Sequence, residues 1–254
     1  MNRFPSIEEA TDQVISIGKR MYERGLIAAT DGNLSVKVSK TRLLVTPSGV
    51  CKGMLLRGDL VIVDTAGKKI AGRREPTSEL KMHLKAYDLR DDIGAVVHAH
   101  PPYATAFAVA GIALDKCVLP EIIVTIGSVP LAGYGTPSTE EVSRSIEQVV
   151  KMCDAFLLKN HGVMTVGKSL VEAYQKLEMV EHLAKITFIA SQIGRVETLS
   201  AEEVQKLYKL RASSSGVYPG CSIDDKVIAG SNEKQHLIEA IVDEVIRLLK
   251  EGKR

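Results

Sequence analysis

Tryptophan is absent from the 254 residues, and aromatic side chains make up only 4% of them. Stacking platforms for bases or sugar rings are therefore poorly supplied. An excess of one charge is missing too: 33 lysines and arginines face 31 acids, for a net charge of +2. That excludes a generally basic, nucleic-acid-coating surface. No apolar run approaches the roughly 18 residues that a membrane span needs. Cys51, Cys117, Cys153 and Cys221 are scattered with no CxxC pair, which reads as reduced, buried thiols in a cytosol and not as a disulfide framework. The opening MNRFPSIEEATD carries acids where a signal peptide would carry its apolar stretch. A soluble, cytoplasmic protein is expected, with no nucleic-acid or membrane partner.

What is present is ordinary globular composition, 45% apolar and 25% charged. A chain of this size buries enough surface to fold without a disulfide or a structural metal. Four Ser-x-x-Glu capping boxes, at Ser6/Glu9, Ser138/Glu141, Ser169/Glu172 and Ser200/Glu203, announce helix starts. After Ser169, the stripe Leu170, Ala173, Leu177, Val180, Leu183 and Ala184 has the spacing of a core-facing helix. A further helix is expected over Thr77–Leu89, behind Pro76. Short β-branched runs predict strands at Leu34–Val38, Leu43–Thr46, Leu60–Val63, Ala95–His98, Ile122–Thr125, Val129–Ala132, Ala155–Leu158 and Val163–Val166. Strands and helices alternate irregularly, which favours a mixed or antiparallel sheet with helices on its faces. From Ala212 the chain turns serine-, glycine- and proline-rich, and a last amphipathic helix is expected near 232–249.

Chemistry concentrates in a few places. His98 and His100 end a predicted strand just before Pro101-Pro102. Residues i and i+2 of a strand share a face, with Cα atoms about 6.6 Å apart, so two imidazoles can converge on one ion. His161, in the turn Asn160-His161-Gly162, is a third candidate, and three histidines leave one open position on a tetrahedral ion. Glu79 falls in the first turn of the expected helix, where the helix dipole favours a carboxylate. His83, one turn on, reads as a core or supporting group. Thr30-Asp31-Gly32-Asn33, Thr46-Pro47-Ser48-Gly49 and Thr77-Ser78 are short loops of hydroxyl, amide and glycine residues suited to an anion, provided they meet in space. Gly162–Ser169 fits the P-loop pattern GxxxxGK[ST], but its apolar middle reads as a strand and Ser169 as the cap of the next helix.

These segments, in this order and spacing, resemble the class II aldolase/adducin family over roughly residues 6–195, most closely its fuculose-phosphate-cleaving branch. The resemblance implies a three-layer α/β/α fold around a central, mainly antiparallel sheet. It implies residues 1–211 as the catalytic domain, with 212–254 a connector and C-terminal helix appended to it. It also implies a homotetramer with active sites at subunit interfaces. His98, His100 and His161 would hold Zn²⁺ (Mn²⁺ or Co²⁺ being alternatives), joined before substrate arrives by Glu79, which would act as the acid/base. Asn33, Ser48, Gly49, Thr77 and Ser78 would bind the substrate phosphate, with Thr30 nearby. The implied reaction splits a ketose or deoxyketose 1-phosphate, such as L-fuculose 1-phosphate, into dihydroxyacetone phosphate and a small aldehyde. Dehydratase, epimerase and decarboxylase chemistry, or a non-enzymatic adducin-like role, are the alternatives. One departure stands out. The family's fuculose-phosphate aldolases protonate the departing aldehyde with a tyrosine from a neighbouring subunit, and the corresponding segment Leu119–Val124 has none. Glu121 is the expected substitute, with Tyr134 as a second candidate.

Overall fold

The computed structural model describes residues 4–211 and 219–222. The expected last helix near 232–249 and most of the serine-rich connector lie outside the described residues. Eight strands are described: β1 (Asn33–Lys37), β2 (Arg42–Val45), β3 (Val61–Asp64), β4 (Lys69–Ala71), β5 (Ala95–Ala99), β6 (Leu131–Ala132), β7 (Ala155–Leu158) and β8 (Gly162–Gly167). They form one sheet in the order β4-β3-β2-β1-β5-β8-β7-β6. Every neighbouring pair is antiparallel except β6 and β7. Central β5 is buried along its whole length because both faces are covered. Ala95, Val97 and Ala99 pack with Val14 and Ile17 of α1 (Ile7–Glu23), Ala104 and Ala108 of α3 (Pro102–Ala110), and Leu177 and Val180 of α7 (Leu170–Ile193). Val96, between them, packs with Met82, Val142 and Val150. These belong to α2 (Leu80–Leu89), α5 (Glu140–Ser145) and α6 (Glu147–Met152). The period-2 alternation of one strand thus feeds two helical layers, giving the expected three-layer α/β/α arrangement with a mostly antiparallel sheet.

Local capping chemistry sets several of the helix starts. Ser6 and Glu9 exchange both bonds of a capping box, and so do Ser200 and Glu203 before α8 (Ala201–Arg211). The Ser169 hydroxyl accepts the Glu172 N–H at the head of α7. The P-loop-like stretch is indeed a strand, β8.

Four expectations are corrected. Ile122–Thr125 is not a strand but part of helix α4 (Pro120–Thr125): Pro120, at the first helical position, presets φ for a helix, and this outweighs a short β-branched run. Val129–Ala132 shrinks to the two residues of β6. The helix expected from Thr77 begins at Leu80, with Glu79 as its cap residue. Thr139 caps α5 in place of Ser138, which sits at φ 65°, while the Glu141 carboxylate is bound by Thr136. Strand β4 gave no apolar signal because it is an exposed edge.

The cysteine reading fails for one pair. Cys117 and Cys221 form a disulfide across 104 residues of sequence, while Cys51 and Cys153 are free thiols. No local spacing could disclose the bond, since only tertiary packing brings the two together. Residues 219–222 are further stitched to the body. Cys117 and Ser222 pair through backbone, Ser222 N–H donates to the Asp115 carbonyl at 2.7 Å, and the Cys221 N–H donates to the Tyr208 hydroxyl at 3.0 Å. No helix among the described residues is long and apolar enough to cross a membrane.

Cross-linking so large a loop removes much denatured-state entropy. Cys117→Ser is expected to lower unfolding free energy by about 2–4 kcal/mol in denaturant titrations without reductant. Thiol titration of the denatured, unreduced chain should find the two free cysteines; titration of all four would refute the bond.

Candidate active site

The register of the sheet assembles the site. Antiparallel pairing sets Asn33 of β1 opposite His98 of β5, and β8 follows β5 on the other side. The β7–β8 turn, with Asn160 at φ 56°, delivers His161 to the same end. Gly162 permits this approach, because a Cβ there would lie 2.5 Å from the Ala99 carbonyl and 2.6 Å from the His100 ring. Gly32, at φ 71°, does the same on the other flank, where a Cβ would stand 2.6 Å from Ile27. The three imidazoles converge with ring centroids 4.9, 4.7 and 5.1 Å apart, and one nitrogen from each falls within 4.8 Å of the others.

The hydrogen bonds decide what this cluster can hold. His98 Nδ1 faces the Val163 carbonyl at 2.9 Å, which only accepts, so Nδ1 carries the proton and Nε2 presents a bare lone pair. His100 Nδ1 faces the Asp31 carboxylate at 3.3 Å, with the same consequence. The two Nε2 atoms stand 3.0 Å apart. Glu79 brings its Oε2 to 3.2 Å from His98 Nε2 and its Oε1 to 3.1 Å from His161 Nε2. Glu79 Oε1 and His161 Nδ1 are buried without a hydrogen-bond partner. Lone pairs facing lone pairs in a buried site repel unless a cation lies among them. The donor set, three imidazoles and a carboxylate, fits a divalent ion such as zinc, with the carbonyl and carboxylate behind His98 and His100 fixing their tautomers. Burial opposes the Glu79 charge, and any positive charge gathered at the His98 and His161 ring nitrogens outweighs it and holds the carboxyl far below the usual carboxylate range.

Behind Glu79 runs a chain of buried polar groups. Asn33 Nδ2 donates to Glu79 Oε2 at 2.8 Å. His83 Nε2 meets Asn33 Oδ1 at 2.5 Å, and Ser35 Oγ meets His83 Nδ1 at 2.7 Å and the Tyr87 hydroxyl at 2.9 Å. The Asn33 amide oxygen only accepts, so His83 carries its proton on Nε2 and takes one from Ser35 on Nδ1. Burial lowers the His83 pKa to about 3 and keeps it neutral. His83 is therefore a support for Asn33 and lies outside the three-histidine cluster. The anion loops do meet in space. Thr77 N–H donates to the Thr46 carbonyl and Ser48 N–H to the Glu75 carbonyl, both at 3.0 Å. The Thr46 hydroxyl accepts the Leu34 N–H at 3.0 Å. Asn33 and Thr77 are buried beside Glu79, while Thr30, Ser48, Gly49 and Ser78 form an exposed rim.

The family model of the class II aldolase and adducin N-terminal domain matches residues 12–188. The chain belongs to that family. It is 35% identical over 184 residues to an L-fuculose phosphate aldolase of Methanococcus maripaludis, covering 71% of this chain and 97% of that protein. A 3-oxo-tetronate 4-phosphate decarboxylase of Pectobacterium atrosepticum is 30% identical over 206 residues, covering 80% and 94%. A 5-deoxy-D-ribulose 1-phosphate aldolase of Bacillus thuringiensis is 32% identical over 205 residues, covering 80% and 95%. Among solved structures, an L-fuculose 1-phosphate aldolase superposes with a TM-score of 0.75 at 33% identity, covering 83% of this chain and 99% of that one. With aldolase-named relatives at this likeness and the histidine–glutamate cluster intact, this class II aldolase is a carbon–carbon lyase.

Two further positions bear on this aldolase. Glu121 lies exposed in the first turn of α4, and among the described residues no hydrogen bond or ion pair joins it to the histidines. Tyr134 is 58% exposed. Lys52 drew no attention in the sequence, yet it is buried against the first anion loop with Nζ 2.5 Å from the Thr30 carbonyl. A lone lysine after a turn looks like any surface charge, and only packing reveals it.

His98→Ala is expected to abolish stoichiometric divalent-metal retention, read by elemental analysis after dialysis; retention equal to wild type would refute the cluster as the metal site. His83→Leu should lower turnover roughly 10- to 100-fold with the fold intact by circular dichroism, and His83→Gln, which can still donate to Asn33, should recover part of it.

Proposed function

We propose that this class II aldolase cleaves a ketose or deoxyketose 1-phosphate, such as L-fuculose 1-phosphate, into dihydroxyacetone phosphate and a small aldehyde. We assign the cofactor as zinc. The observation that carries the reading is the Glu79 carboxylate lodged among three imidazoles and beside converged anion loops. His98, His100 and His161 would hold the ion, with Glu79 as a further ligand, and it would supply Lewis acidity toward negative charge developing on the substrate.

Glu79 then does the proton work. Asn33 ties down Oε2, so Oε1, which accepts no hydrogen bond, is the oxygen we assign to carry the proton to and from the substrate carbon. The three loops seat the phosphate through the hydroxyls of Thr30, Ser48, Thr77 and Ser78, the Asn33 amide and the Gly49 backbone. Binding energy at this non-reacting end orients the reacting one. Glu121 of a neighbouring subunit is our assignment for the proton donor to the aldehyde oxygen. Its exposure on α4, with no hydrogen bond or ion pair to its own histidines among the described residues, leaves it available across an interface. We read the enzyme as a homotetramer whose interfaces complete the sites; exposed Phe188, Ile189 and Ile193 at the end of α7 supply an apolar face for such a contact. We take residues 1–211 as the catalytic unit, and 212–254 as its appendage.

A second reading, decarboxylation of a sugar-acid phosphate on the same site, is supported by the tyrosine-free segment Leu119–Val124 and by the decarboxylase-named relative.

Product analysis separates the two. Coupled detection of dihydroxyacetone phosphate across a panel of phosphorylated ketoses, with and without chelator, should give chelator-sensitive signal. Release of carbon dioxide from a sugar-acid phosphate, with no aldehyde formed from any ketose 1-phosphate, would overturn the aldolase reading. The C3 phosphate alone does not discriminate, because a four-carbon acid phosphate that loses carbon dioxide also leaves one. Glu79→Gln should reduce kcat about 10²- to 10⁴-fold with metal content retained.

A further inference from the structure

Lys52 takes no part in the steps above, and its setting is unusual for a lysine. It opens the short 3₁₀ turn Lys52–Met54, three residues after Gly49. Its carbonyl lies against α1 so closely that a Cβ at Gly18 would come within 2.6 Å of it, which fixes the backbone from which the side chain leaves. The residue is only 3% exposed. An ammonium carries three donors, and the Thr30 carbonyl takes one of them at 2.5 Å. Among the described residues no carboxylate forms an ion pair with it.

A buried charge without a counter-charge is costly. Burial pushes the Lys52 ammonium pKa down, while the charges of Asp31, Cys51 and Glu79 push it back up, so Nζ lies within the electrostatic reach of the active site. The loops it adjoins, Thr30–Asn33 and Thr46–Gly49, present hydroxyls, an amide and backbone, with Asp31 their only formal charge. A phosphate ester brings about −1.5 to −2 charges at neutral pH, and the chain as a whole carries only +2, so no basic surface compensates.

We propose that Lys52 is the counter-charge of the phosphate seat, a buried ammonium that fastens the Thr30–Asn33 loop by its carbonyl and meets the substrate's phosphate dianion from beneath. This rests on the reading of the loops as a phosphate seat. Lys52 is thus a positioning and charge-supplying residue for substrate affinity, and takes no proton from the reacting carbon.

The test is direct calorimetric titration of the metal-loaded enzyme with inorganic phosphate, alongside the KM for the phosphorylated ketose. Lys52→Gln keeps a donor for the Thr30 carbonyl and removes the charge. It should weaken phosphate binding about tenfold or more and raise KM in parallel, with kcat and metal content near wild type. Lys52→Arg should restore most of the affinity, which a merely structural role for the amine would not predict. Lys52→Met, should it fold poorly by thermal melting, leaves the Gln and Arg pair to decide. Ser78→Ala serves as the control on the seat itself. Wild-type affinity in Lys52→Gln with a loss in Ser78→Ala overturns the role of Lys52 and leaves the phosphate seat standing. No phosphate binding by the wild-type enzyme overturns both.

Discussion

At the end of β5, imidazole and carboxylate lone pairs are packed together in a largely buried cluster, and such atoms repel one another unless a positive charge sits among them. Much of the surrounding structure serves that arrangement. The antiparallel register places Asn33 across from His98. The tight β7–β8 turn, closed by Gly162, presses His161 toward the His100 ring. The start of α2 is delayed to Leu80 so that Glu79 turns its carboxylate to the histidines and makes no cap hydrogen bond with its own helix. A helix that began earlier would gain a turn of backbone bonds and turn the Glu79 carboxylate away from the histidines. The arrangement costs local stability, and the two helical layers on either side of the sheet offset that cost.

The electrostatics are organised in depth. Nearest the reacting centre lie the three imidazoles and the carboxylate. Behind His98 and His100 stand a backbone carbonyl and a carboxylate that fix their protons on Nδ1. Behind Glu79 stand Asn33, His83, Ser35 and Tyr87, each orienting the next. Every member of this last chain is neutral. The chain therefore sets the direction of the Asn33 amide without adding a charge that would compete for the carboxylate. Among the described residues, Lys52 is the buried cation beside the loops, on the side we propose for a substrate's phosphate. Charge is placed where a ligand brings the opposite sign, and dipoles are placed where geometry alone is needed.

The relatives show how far this core constrains chemistry. Aldolase and decarboxylase names occur among proteins of comparable identity to this chain. Both reactions leave a carbanion beside a carbonyl, so the metal site and phosphate seat proposed for this chain suit either. In this chain the segment Leu119–Val124, where we place the group facing the leaving fragment, carries Glu121 on a short helix and no tyrosine.

Much of the site was written in the sequence because its pieces are local. His98 and His100 share a strand face through a two-residue period. His161-Gly162 is a turn, and Glu79 follows Thr77-Ser78 directly. The capping serines at 6, 169 and 200, and the conversion of a P-loop look-alike into β8, are likewise nearest-neighbour chemistry. The sequence by itself therefore determined the donor types, most of the strands and the layered fold class. Tertiary structure alone decided the rest, because those features depend on contacts between distant segments. The Cys117–Cys221 bond spans 104 residues. The burial of Lys52 depends on Gly18 of α1, and the support of Glu79 by His83 depends on a bond through Asn33, 50 residues away from His83. Pro120 turned a β-branched run into helix α4, where preset backbone torsion outweighed side-chain propensity. Short-range patterns specify which groups a segment can offer; which of them are desolvated, paired or left without a counter-charge is fixed only when the layers close.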